Sequence, residues 1–293
     1  MSTKQLIDDS IDLRWQMLQI RLIEKRISEA FVFFRQYQIE PVLIKGWSAA
    51  QLYPQPYQRR IGDIDLMVAP ELFEDSAAYL KNFKDKHLID LHCGARHLDL
   101  LPFEKLFANS KTIKCGETDV RVLRPEDHLR ILCVHWLTDG GEHREKLWDI
   151  YYAVENRPAD FDWERCLDAV GETRKKWIIC CILLANKYLG LNLDGIPLTE
   201  ESREIPQWLL ETIEKEWKSD LRLKPLEYCL SDKKQLFSQI KKRFPPNPIQ
   251  ETIEMEGEFD HGWRVKYQIG SILYRVKPSV KRIWATLHYS YSR

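Results

Sequence analysis

The stretch VLIKGWSAAQLYPQPYQRRIGDIDLMV, residues 42–68, decides the fold. Val42-Leu43-Ile44 is a short, fully apolar strand, and Lys45-Gly46 turns the chain out of it. Trp47 to Tyr53 reads as a short helix, which Pro54 and Pro56 break into a loop carrying Arg59 and Arg60. Asp63 to Val68 then alternates with period two. Ile64, Leu66 and Val68 fall on one face of a strand, Asp63 and Asp65 on the other.

Working outward, residues 10 to 38 predict one long amphipathic helix, with Ile20, Ile23, Ile27, Ala30, Phe31 and Phe34 at helical spacing. Pro70 opens a helix to about Phe83. His87 to His92 predicts a third strand with Asp90 and His92 on the face opposite Ile89 and Leu91. Weaker strands are expected at Thr112–Cys115 and Val120–Leu123. From Pro125 the pattern turns helical, over Pro125–Leu137, Arg144–Val154, Asp162–Val170, Lys175–Leu189 and Pro206–Lys218. Lys241 to Pro248 reads as a basic, Pro-rich connector. The predicted class is α+β, a short mixed sheet with helices followed by a helical domain. Its expected divisions are an N-terminal helix (1–40), a core (41–124), the helical domain (125–245) and a connector with a basic aromatic segment (246–293).

Composition narrows the classes. With 10 Trp, 12 Tyr and 11 Phe in 293 residues, the chain is too aromatic for disorder. The apolar run Trp177 to Ala185 is far short of the ~20 residues of a membrane helix. The start lacks an apolar signal core, so a cytoplasmic protein is expected. Seven cysteines without a C-x-x-C pair predict free thiols rather than a disulfide framework or zinc ribbon. His87, His92, Cys93 and His97 match no common zinc spacing. The formal charge is zero but unevenly placed. No acid follows Asp260, whereas Arg264, Lys266, Arg275, Lys277, Lys281, Arg282 and Arg293 do.

Carboxylates at i and i+2 on a strand stand ~6.6 Å apart at Cα and point the same way. With Asp90 on a neighbouring strand they suit a pair of Mg²⁺ ions, which take hard oxygen ligands and suit phosphoryl chemistry. Leu43-Ile-Lys-Gly46, Leu52-Tyr-Pro54, Arg59 and Gly62-Asp-Ile-Asp-Leu66 together resemble the bacterial nucleotidyltransferase-like family of the DNA polymerase β superfamily. Asp90-Leu-His92 resembles its third-carboxylate strand. Leu123 to Leu129, His135 and Trp148-Asp149 resemble its helical continuation. In place of the superfamily's usual Gly-Ser or Gly-Gly, Gly46 is followed by Trp47.

The resemblance implies a transferase that moves a nucleoside monophosphate from a nucleoside triphosphate, ATP foremost, to an acceptor hydroxyl. It implies Asp63, Asp65 and Asp90 as catalytic and metal-binding residues, holding two Mg²⁺ or Mn²⁺ ions. It implies Lys45, Gly46, Ser48 and Arg59 as nucleotide contacts. His92, His135 and Asp149 are secondary candidates, the last two read chiefly as a structural pair across two helices. A small-molecule acceptor is expected, with RNA or protein as alternatives reached through the basic C-terminal segment. A catalytically silent nucleotide-binding or scaffold protein is the competing reading.

Overall fold

The computed structural model describes residues 3–199, 204–219, 221, 229 and 232–273, with residues 3–12 described by backbone alone. Five strands form one mixed sheet: β1 (Val42–Leu43), β2 (Ile64–Val68), β3 (Ile89–Cys93), β4 (Lys111–Cys115) and β5 (Thr118–Val122), in the order β3-β2-β1-β5-β4. β1 lies at the centre, antiparallel to β2 and parallel to β5. β2 and β3 are parallel, and their register sets Asp65 beside Asp90.

The alternation in β2 explains how the sheet is covered. Leu43, Ile64, Leu66 and Val68 face one apolar layer, made with Ile27, Phe31 and Phe34 of helix α1 (Thr3–Arg35). Val42, Ile44 and Met67 face the other, a larger layer contributed mainly by helices. Its walls are α5 (Pro125–Thr138), α6 (Leu147–Glu155) and α8 (Gly171–Leu189). Asp65 lies between Leu66 and Ile64 in sequence but on Met67's side of the strand. It is therefore buried toward α5, at 1 % exposure.

Several boundaries differ from expectation for local reasons. α1 stops at Arg35, because the chain turns over 36–38 with Gln38 at φ 60° before Pro41. α2 keeps only Trp47–Ala50, and Pro70–Leu72 is a tight turn preceding α3 (Phe73–Leu80). β3 begins at Ile89, since Lys86–Leu88 is also a tight turn. The helix expected over Asp162–Val170 is α7 (Trp163–Leu167) followed by a tight turn, and α8 begins at Gly171 instead of Lys175. The short α4 (Phe103–Ala108), after Pro102, carries too few turns to show a period.

The C-terminal part is more helical than its Pro-rich, charged sequence suggests. Beyond α9 (Gln207–Trp217), α10 (Lys233–Arg243) occupies the first part of the expected connector. α11 (Pro248–Glu254) follows, capped by Asn247, whose Oδ1 accepts from the amides of Ile249 and Gln250. Ile249 and Ile253 bury in the same apolar layer as α5. A further helix spans 265–273. Of the basic segment, Arg264 is buried and stacks on Trp208, while Trp263 is 84 % exposed. Arg275, Lys277, Lys281, Arg282 and Arg293 lie outside the described residues. No helix among the described residues is long and apolar enough to cross a membrane.

A buried ionic network ties the turn after β3 to the helices. The Arg130 guanidinium, 1 % exposed, donates to Asp99 at 2.8 Å and Asp127 at 2.6 Å, and Arg165 closes on Asp127 at 2.7 Å. Removing one partner of such a cluster strands the others without solvent. Arg130→Ala is therefore expected to lose about 3–5 kcal/mol, read from urea unfolding, whereas Trp15→Ser on exposed α1 surface changes it by less than about 0.5 kcal/mol.

Candidate functional site

β1 ends at Leu43, and the next residues leave the sheet beside the start of β2. Gly46 takes φ +65°, which a side chain rarely adopts; its absent Cβ would meet the Asp63 carbonyl at 3.4 Å and Asp65 Oδ2 at 3.7 Å. The tight turn sends Lys45 back over the sheet, where its Nζ lies 2.7 Å from Asp65 Oδ1 and 2.9 Å from His135 Nε2. Trp47 points the opposite way, into the layer beneath α1, with its indole N–H toward Glu24 at 3.4 Å. The bulky residue after the glycine thus does not enter the site.

Parallel pairing of β2 and β3 brings Asp65, Asp90 and His92 together, one polar atom of each within 4.8 Å of the others. His92 Nε2 sits 3.3 Å from Asp65 Oδ1 and 3.1 Å from Asp90 Oδ2. Its Nδ1 is buried and has no hydrogen-bond partner among the described residues. The three differ in exposure: Asp65 and His92 are buried, while the Asp90 side chain is 49 % exposed. Asp63 stands just outside β2, exposed, and is not part of this close trio.

A cleft of about 330 Å³ opens beside these residues. Lys45, Gly46, Arg59, Arg60, Asp63 and Asp65 line one side, and Leu132, His135, Trp136, Asp139, Lys146 and Asp149 the other. Arg59 grips Asp149 with both sides of its fork, at 2.8 Å each, and Tyr53 donates to the same carboxylate at 2.6 Å. Lys146 is held by Asp139 at 2.8 Å.

The electrostatics follow from these partners. Burial works to raise the Asp65 pKa, but the hydrogen bond from His92 and the charge of Lys45 outweigh it, so Asp65 stays ionised below the usual range. Asp63 moves up, through burial first and then the charges of Asp65 and Asp90, with Lys45 opposing. Burial works against the Arg59 charge, yet Asp149 prevails and raises its pKa. Burial, aided by Lys45, pushes His135 down to about 4. A neutral His135 offers its Nε2 lone pair to Lys45 and donates from Nδ1 toward Asp139, 3.4 Å away. His128, wholly enclosed, also falls to about 4 through burial.

The structure therefore groups Lys45, Gly46, Asp63, Asp65, Arg59, His135 and Asp149 around one cleft, with Asp90 and His92 adjoining through Asp65. His135 and Asp149 do not pair with each other, correcting the expected link across the two helices. Each instead reaches back to the α/β part, to Lys45 and to Arg59. Ser48 turns inward. It donates to the Lys45 carbonyl at 3.2 Å and lies 3.3 Å from His128, away from the cleft lining. Tyr53, Arg60, Asp139 and Lys146 were not singled out from sequence. Tyr53 and Arg60 lie in the quoted stretch, but only a fold shows which way they face.

With this geometry in place, comparison adds a family. Residues 12–190, more than half of the chain, match the model of a family described as uncharacterised nucleotidyltransferase, and the chain belongs to that family. No curated protein and no solved structure matches it.

Three outcomes follow from the geometry. Asp149→Ala leaves the enclosed Arg59 fork unpaired and is expected to cost about 3–5 kcal/mol, measured by chemical unfolding. His128 and His135 titrate near 6.5 when unfolded and near 4 when folded. The unfolded chain thus takes up protons that the native one refuses, and stability falls on acidification. Between pH 7 and pH 5 the loss is about 2 kcal/mol per histidine, read from urea midpoints at the two values. Asp63 has the opposite sign, since its raised pKa marks a carboxylate whose charged form is disfavoured by partial burial and by the charges of Asp65 and Asp90. Asp63→Asn should raise the melting temperature at pH 7, seen by calorimetry.

Proposed function

We propose that this member of the nucleotidyltransferase family transfers a nucleoside monophosphate from a nucleoside triphosphate, ATP foremost, to an acceptor hydroxyl, releasing pyrophosphate. The observation that carries the reading is the register of β2 and β3, which sets Asp65 and Asp90 side by side at the edge of a cation-lined cleft. The donor set fits a divalent ion. Two carboxylates supply hard oxygen, Asp63 can add a third, and His92 presents Nε2 between the pair. Carboxylate oxygen ligands suit both Mg²⁺ and Mn²⁺. Bound there, such ions supply charge neutralisation at the transferring phosphoryl group.

The chain's own share is positioning and proton handling. Gly46 clears the approach over β2, and Lys45 lies within reach of developing phosphate charge. Half-exposed Asp90 is open to an arriving acceptor and takes the proton from its hydroxyl. That oxygen bonds to the α-phosphorus, and the bond from α-phosphorus to the bridging oxygen breaks in line, its electron pair leaving with pyrophosphate. His92 fixes the orientation of both carboxylates. A cleft of about 330 Å³ suits a nucleotide and a small hydroxyl compound better than a folded macromolecule. All seven cysteines are free, which supports a reducing, cytoplasmic setting.

One observation favours the silent alternative. Lys45 already neutralises Asp65 at 2.7 Å, so the buried carboxylate is satisfied without a metal. The two readings separate by turnover. The full chain with Mg²⁺ or Mn²⁺, each labelled triphosphate and a panel of hydroxyl acceptors is expected to release pyrophosphate. Asp65→Asn and Asp90→Asn should each reduce the rate at least about 100-fold, with unchanged circular dichroism. Metal-dependent triphosphate binding without turnover across the panel would establish the silent alternative.

A further inference from the structure

The cleft holds four cations and four carboxylates, and their pairing is nearly complete. Lys45 is engaged by Asp65 and His135, Arg59 by Asp149, and Lys146 by Asp139. Arg60 differs from the other three. It is exposed, it lines the cleft, and its guanidinium has neither ion pair nor hydrogen bond among the described residues. Only its backbone carbonyl is used, accepting from Arg59 Nη1 at 3.3 Å. Two residues on, Gly62 also lines the cleft, and a Cβ there would meet nothing within 4 Å. The backbone at Gly62 therefore borders open space.

A polyphosphate entering this cleft meets three cations already committed and one that is not. Recruiting Arg59 would strip Asp149 of its doubly bonded partner, whereas recruiting Arg60 breaks nothing. Its planar fork matches two phosphate oxygens at once. We infer that Arg60 is the arginine that binds the triphosphate, and that Arg59 serves as a fixed strut of the cleft wall. This rests on the proposed nucleotidyl transfer and assigns a polyphosphate contact within that same site. It moves the phosphate-contacting role implied for Arg59 to its neighbour.

The test is titration of the 293-residue chain at fixed ionic strength with Mg²⁺–ATP, inorganic tripolyphosphate and adenosine, followed by calorimetry. Arg60 is exposed, so Arg60→Ala is expected to fold as the parent does, checked by its melting temperature. It should weaken ATP and tripolyphosphate about 10- to 100-fold and leave any adenosine binding unchanged, with Arg60→Lys between. Unaltered ATP and tripolyphosphate affinity in Arg60→Ala overturns the assignment while leaving nucleotidyl transfer intact. A parent protein that binds neither ATP nor tripolyphosphate overturns both. If tripolyphosphate binds through Arg60 but no triphosphate is turned over, the transferase reading fails and the phosphate contact stands.

Discussion

Everything around the cleft is arranged so that one carboxylate can stay charged where almost no water reaches it. Asp65 is 1 % exposed at the end of a strand packed on both faces, a position in which an unpaired anion would neutralise or unfold its surroundings. Two groups prevent that. Lys45 arrives because Gly46 allows the turn out of β1, and His92 arrives because β3 runs parallel to β2 in matching register. Lys45 in turn leans on His135, and His135 on Asp139. The site is thus a chain of dependencies that begins at one buried charge and ends on the helices opposite.

The same logic explains why the helices cannot be thought of as an appendage. Asp149 of α6 receives Arg59 and Tyr53 from the loop that precedes β2. A second, deeper network around Arg130 fastens the turn after β3 to α5 and α7. Met67, Val42 and Ile44 share an apolar layer with α5 and α8. Sheet and helices are joined by both greasy and ionic contacts, and the cleft is the gap left where they fail to close.

Much of this was legible beforehand. The alternation of Ile64, Leu66 and Val68 with Asp63 and Asp65 separated the apolar face that packs beneath α1 from the face that carries the carboxylates, and Lys45-Gly46 marked the turn. What sequence could not supply was direction and partner. Asp90 sits opposite Asp65 only through strand register, which no local pattern encodes. Arg59 and Arg60 are adjacent and chemically identical, yet Arg59 is held by Asp149 and the Arg60 guanidinium has no partner among the described residues. α10 runs straight into the Pro-rich stretch that follows it, and α11 has only seven residues, too few to show a period; Ile249 and Ile253 mark its buried side only once packed.

The turn between α5 and α6 carries a consequence for how the protein comes into being. Asp139 and Lys146 flank it, and Gly140 and Gly141 pass through it at positive φ. The Asn247 amide donates to the Gly140 carbonyl at 3.1 Å, so close that a Cβ on Gly140 would meet it at 2.5 Å. Trp217 donates to the Gly141 carbonyl at 2.9 Å. Every residue lining the cleft is synthesised by position 149, but the fastenings of its far wall come 68 and 98 residues later, counting from 149 to Trp217 and Asn247. During translation, the chemical groups therefore precede their geometry. The wall gains these two ties only after the ribosome has passed Trp217 and then Asn247.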